Sequence, residues 1–116
     1  MTVHETGTAR PLGGAVELAA YRIIQESLTN VARHAPGATV TIDLAYSRDG
    51  LELRVCDDGR HDHQPPGDAA YPLGHPGSGI AGMRERADAL GGSLDVHRRV
   101  GGGFEVAAQL PAGAAR

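Results

Sequence analysis

The chain has 116 residues, 41% hydrophobic and 22% charged, with a formal net charge of −3, which describes one soluble domain built on a single compact core. No run approaches the roughly 18 apolar residues of a membrane span, and MTVHETGTARPLGG lacks the apolar centre of a secretory signal, so the expectation is a cytoplasmic chain without direct membrane insertion. The 11 basic residues are all Arg and form no cluster, which argues against a nucleic-acid partner, and the single cysteine, Cys56, excludes an internal disulfide or a cysteine-rich zinc site.

Val3 to Thr6 suits a short edge strand, and the turn-rich TGTARPLGG follows it. From Ala15 to Ala35 the apolar residues Val16, Ala20, Ile23, Ile24, Leu28 and Val31 recur at helical spacing until Pro36-Gly37 ends the pattern. Arg22, Glu26, Asn30 and Arg33 advance by four, four and three, and are expected to form one polar stripe opposite the apolar face. Two readings of that stripe stand. It is a solvated face with an Arg22–Glu26 pair, or it presents Glu26 as a base and Asn30 as a Mg²⁺ ligand toward one substrate.

TVTIDLA (39–45) and LELRVCD (51–57) alternate apolar and polar residues, and Ser47-Arg48-Asp49-Gly50 joins them as a hairpin. The second strand runs into Asp57-Asp58-Gly59, an acceptor for an exocyclic amine or simply a common turn. Between Gly59 and Gly79, RHDHQPPGDAAYPLGHPGS holds four prolines and three glycines and has no period, which reads as a lid over about 60–78. His61, His63 and His75, with Asp62, read as solvated residues of this loop rather than as a zinc site. GHPGSGIAGMRER then brings a glycine-rich loop into a helix, where Gly77, Ser78 and Gly79 could cradle a phosphate at the helix N-terminus. Gly91-Gly92 stops that helix, and SLDVHRR and FEVAAQL form a closing hairpin. The expected fold class is α+β, two layers, with helices on one face of a mostly antiparallel sheet.

Taken in order, these segments resemble the ATP-binding catalytic domain of bacterial sensor histidine kinases, of the Bergerat-type superfamily shared with gyrase and heat-shock protein 90. YRIIQESLTNVARHA resembles the N box of the NarL-type subfamily, VCDDGR its first glycine box, GSGIAGMRERADALGG its second, and GGGFEVAAQLP its closing hairpin. The resemblance spans nearly the whole of 1–116 as a single domain. It implies that Glu26 is the base that helps a histidine attack the γ-phosphate of ATP, and that Asn30 ligates Mg²⁺. It sets Arg33 and His34 near the phosphates, Asp57 on the adenine amino group and Gly59 beneath the ring. Gly77, Gly79 and Gly82 would shape the lid hinge and the phosphate-facing backbone.

The implied partners are ATP and ADP, a dimerisation and phosphoacceptor domain, and indirectly a response regulator. The sequence departs from the family pattern at His61, where a second glycine is common, and at Phe104, where Thr is common. Nothing in it resembles the dimerisation domain with its phosphorylatable histidine. A free-standing serine kinase of the anti-sigma type and a non-catalytic nucleotide-binding module are the alternative readings.

Overall fold

The computed structural model describes residues 1–8, 11–59, 79–100 and 102–112. The elements run β1 (Thr2–Thr6), α1 (Gly14–His34), β2 (Val40–Ser47), β3 (Gly50–Asp57), α2 (Ile80–Ala89), β4 (Ser93–Arg98) and β5 (Phe104–Pro111). The lid expected over 60–78 lies outside the described residues.

The five strands form one sheet in the order β1-β2-β3-β5-β4. β1 pairs with β2 in parallel, because α1 carries the chain back before β2 begins. Every other pair is antiparallel, so the sheet is mixed and mostly antiparallel, as expected.

Period-two alternation decides which face each strand buries. Ile42, Val55, Val106 and Val96 form one cross-strand row, and Leu44, Leu53, Ala108 and Leu94 form the next. Both rows face the helices and belong to the core or pack against it. Onto them α1 lays Val16, Ala20, Ile23 and Val31, and α2 lays Ile80, Met83 and Ala87. The two helices also meet through a polar contact, where the Ser27 hydroxyl donates to the Met83 sulfur at 3.7 Å.

α1 begins after Gly13, and the Glu17 carboxylate in its first turn accepts the Leu12 backbone N–H at 3.1 Å. An acid there also suits the positive end of the helix dipole. At the other end the Ala35 N–H closes on the Val31 carbonyl at 2.8 Å, and the chain turns at Pro36-Gly37. No helix among the described residues is long and apolar enough to cross a membrane.

The opposite sheet face is polar. On it the half-buried Cys56 thiol donates to Glu105 at 3.5 Å, while Arg54 and His97 reach the other oxygen of the same carboxylate at 3.3 and 3.6 Å. Burial first, and then the Glu105 charge and hydrogen bond, push the thiol up to about 11, so Cys56 stays protonated and acts as the strand residue expected.

Candidate functional site

The polar stripe expected on α1 does not lie opposite the apolar face. Residues of an α-helix advance by about 100°, so steps of four carry Arg22, Glu26 and Asn30 round by about 40° each. Asn30 therefore arrives within about 20° of Ile23, a core residue. The structure follows that drift: Arg22 is exposed, Glu26 is half-buried, and Asn30 is buried at 0% exposure beside the buried Ser27 register. Arg33 returns to the exposed side and His34 is half-buried in the last turn. A solvated face is thus excluded for Asn30.

Neither Nδ2 nor Oδ1 of Asn30 has a hydrogen-bond partner among the described residues. Buried polar groups without partners are rare and cost stability, so such a side chain calls for a functional account. An amide oxygen with its lone pairs unused fits the oxygen-ligand chemistry of Mg²⁺. Among the described residues no group of three or more His, Cys, Asp or Glu could hold a metal ion.

Glu26 faces the start of α2. Gly79, the N-cap of α2, has a left-handed backbone at φ +81°, and a Cβ placed on it would overlap the Glu26 carboxylate. The absent side chain at 79 is what lets this carboxylate sit against the helix start. α2 carries no side-chain cap and no acid in its first turn, and its intrahelical bonding begins with the Met83 N–H to the Gly79 carbonyl at 3.1 Å. Gly82 lies in that first turn, exposed, with open space around it. Gly77 and Ser78, expected to share the phosphate cradle, lie outside the described residues.

Asp57 ends β3 on the core-facing side of the sheet. The alternation that buries Leu51, Leu53 and Val55 puts the next odd residue on the same face, and that residue is a carboxylate at 3% exposure. Its Oδ1 accepts the Gly59 N–H at 2.9 Å, and the Phe104 backbone N–H also donates to it. Desolvation nevertheless dominates and raises the Asp57 pKa above its ordinary value; the two backbone donors and Arg99 oppose this, and the neighbouring Asp58 adds to it.

The neighbouring acid does a different job. Asp58 locks the entry to β2, its carboxylate taking the Thr39 N–H at 2.9 Å and its own N–H donating to the Thr39 carbonyl at 3.1 Å.

The turn after β3 packs directly on the β4–β5 turn. A Cβ on Gly59 would lie 2.6 Å from the Gly103 nitrogen, and one on Gly103, at φ +88°, would overlap the Asp57 carbonyl oxygen. Close backbone approach between two turns is therefore the structural demand on Gly59. Phe104 places its ring in the core under the Arg98 guanidinium, 5.7 Å from the ring centroid, and contributes to the site through its backbone. Arg99, which the sequence reading did not single out, donates from Nη1 to the Asp57 carbonyl at 3.0 Å.

A raised Asp57 pKa has a stability consequence of definite sign. The folded chain holds this proton more tightly than the unfolded chain, so the stability from the protonated form is full at low pH and is lost as pH rises through the folded value. Asp57→Asn is expected to raise the melting temperature at neutral pH and to flatten this part of the pH dependence. Thermal melts of both proteins across the acidic to neutral range check it; a lower melting temperature for the variant at neutral pH contradicts the assignment.

Two hollows on the structure, of about 490 and 240 Å³, sit at the other end of the sheet and on its polar face, among residues such as Ala45, Glu52, Ser93 and Gln109. Neither touches Glu26, Asn30 or Asp57. The unpartnered amide and the buried carboxylate locate chemistry better than hollow size does, since a hollow of polar surface strands needs no ligand.

The family described as histidine kinase-, DNA gyrase B- and HSP90-like ATPase matches residues 15–114. The sensor histidine kinase YxjM of Bacillus subtilis (strain 168) is 35% identical over 91 residues, covering 78% of this chain and 20% of that protein. The signal transduction histidine-protein kinase/phosphatase UhpB of Salmonella typhimurium is 38% identical over 76 residues, covering 66% of this chain and 14% of UhpB. The chain thus spans about a fifth or less of the length of these two relatives. Among solved structures, the blue-light activated histidine kinase of Erythrobacter litoralis EL346 superposes with a TM-score of 0.70 at 22% identity, over 99% of this chain and 39% of that one, a likeness of fold.

Proposed function

The chain belongs to the histidine kinase-, DNA gyrase B- and HSP90-like ATPase family, and from that premise we propose that it is the cytoplasmic ATP-binding catalytic part of a NarL-type two-component sensor histidine kinase. The observation that carries this reading is the buried amide of Asn30, without a hydrogen-bond partner among the described residues, one helical turn from Glu26 on the helix that faces the start of α2. A structural helix has no use for such an amide; a metal-phosphate site does. The names of the similar proteins, sensor histidine kinases, support the same direction.

In this reading Asp57 accepts a hydrogen bond from the adenine amino group. The backbone N–H groups at the start of α2, with Gly79 and Gly82, and the side chains of Arg33 and His34 attend the phosphates. Mg²⁺, with Asn30 Oδ1 among its oxygen ligands, would neutralise phosphate charge. Glu26 takes the proton from the attacking imidazole of a histidine on a separate dimerisation and phosphoacceptor domain. As the nitrogen–phosphorus bond forms, the bond from the γ-phosphorus to its bridging oxygen breaks and ADP leaves with that electron pair. Positioning and charge neutralisation supply most of the acceleration. The phosphohistidine then serves a response regulator.

A site built to accept from an exocyclic amine should reject guanine nucleotides, whose carbonyl would face the buried carboxylate. Calorimetry on this chain should give ATP and ADP affinities at least about tenfold above those of GTP and GDP, and Asp57→Ala should weaken the adenine nucleotides by about ten- to a hundredfold. Equal ATP and GTP affinity, or full affinity in Asp57→Ala, overturns the base assignment. Selective ATP binding without phosphohistidine on a supplied phosphoacceptor domain favours the non-catalytic module, and phosphoserine on a protein substrate favours the anti-sigma-type kinase.

A further inference from the structure

We propose that Arg99, on the turn between β4 and β5, is a positioning residue for nucleotide recognition, holding the end of β3 so that the Asp57 carboxylate keeps its place on the base. The inference rests on the reading that Asp57 accepts from adenine, and it adds a residue that no motif in the sequence marks.

The β3–β5 register runs from Gly50↔Pro111 to Cys56↔Glu105, so the Asp57 carbonyl lies one residue past the last paired position. Arg99 reaches that carbonyl with Nη1 at 3.0 Å. Its own backbone is fixed on both sides: the Arg99 N–H donates to the Gly103 carbonyl at 2.9 Å, and the Gly102 N–H donates to the Arg99 carbonyl at 3.1 Å. The guanidinium is therefore a strut from a closed turn to the last residue of β3.

The same turn bears on Asp57 from two further points. A Cβ on Gly103 would lie 2.9 Å from the Asp57 Oδ1, so the glycine leaves the carboxylate its seat. The next residue, Phe104, donates its N–H to that carboxylate. Three neighbouring residues of one turn thus fix the carbonyl, the space and the charge of a single acid. Among the described residues, the charged groups acting on it are Asp58 from its own turn, which favours protonation, and Arg99 from the β4–β5 turn, which favours the carboxylate. The ionised carboxylate is a stronger acceptor for an amine than the protonated acid, so the strut favours both the position and the ionised form.

ATP binding to this chain should be measured by calorimetry across the acidic to neutral range for the wild type, Arg99→Ala, Arg99→Lys and Asp57→Ala, together with the ¹³C NMR titration of the Asp57 carboxyl without nucleotide. Arg99→Ala is expected to weaken ATP by about three- to tenfold, to raise the pH below which affinity is lost, and to move the Asp57 titration upward. Arg99→Lys keeps the charge and a donor and should recover most of the affinity and return the pH profile toward wild type. A brace that merely stabilises the turn would lower the melting temperature without moving either titration. Wild-type affinity in Arg99→Ala with an unmoved Asp57 titration overturns the inference. Unchanged affinity in Asp57→Ala, which removes the acceptor, overturns instead the underlying assignment of the base, and the carboxyl titration of the wild type and the Arg99 variants then still decides whether Arg99 governs Asp57.

Discussion

Asn30→Leu is expected to make this chain more stable while destroying its Mg-dependent ATP binding. The side chain is at 0% exposure and both of its amide atoms lack partners among the described residues, so folding takes them from water with no compensating bond from those residues. Such a group costs about 1–3 kcal/mol, and an apolar side chain of similar volume removes that cost. For a domain of this size each kcal/mol is worth roughly 4–8 °C in melting temperature, so the variant should melt several degrees higher. Binding should respond in the opposite sense, because Leu offers no oxygen to a metal: the gain in ATP affinity on adding Mg²⁺ should vanish. Thermal melts and calorimetry with and without Mg²⁺ read both signs. A variant that is less stable and keeps its metal dependence would make Asn30 an ordinary structural residue.

Glu26→Gln should separate chemistry from binding. Gln matches Glu in size, so it still fits the space that Gly79 leaves open, and it still offers an oxygen acceptor, but it cannot take a proton at neutral pH. Phosphohistidine formation on a separately supplied phosphoacceptor domain should fall by about 10²–10⁴-fold, the usual worth of general base catalysis, while ATP affinity should stay within about twofold. Labelled ATP and acid-labile phosphate on the acceptor measure the first quantity, and calorimetry measures the second. Full phosphotransfer in Glu26→Gln would remove Glu26 from the reaction, whereas a matching loss of affinity would make it a binding residue.

The order and type of all seven elements were legible in the sequence, because each carries a short-range signal. Helical spacing through Val16, Ala20, Ile23 and Val31, alternation through Val40 and Ile42 and through Leu51, Leu53 and Val55, and the Pro36-Gly37 and Gly91-Gly92 stops depend only on neighbours in the chain. The family was legible for a related reason: its motifs are contiguous stretches, QESLTN and VCDDGR among them, in a given order.

What the tertiary structure alone decided are relations between stretches far apart. The drift of about 40° at each four-residue step already sets Asn30 within about 20° of the apolar Ile23, so its burial was readable from spacing. That Glu26 meets the helix start at Gly79 depends on where α2 lies. Alternation alone could have flagged Asp57 as core-facing, since it follows Leu51, Leu53 and Val55 in step; that its neighbour Asp58 serves the Thr39 backbone needed the register of β2 on β3. Gly59 and Gly103 lie 44 positions apart and each owes its identity to the other's turn. Arg99 reaches the Asp57 carbonyl from 42 residues away, where no local pattern singles it out. A local pattern reports how a segment satisfies its own backbone and which side it turns to the core; which distant group meets it there is set by packing, and the candidate site is made of such meetings.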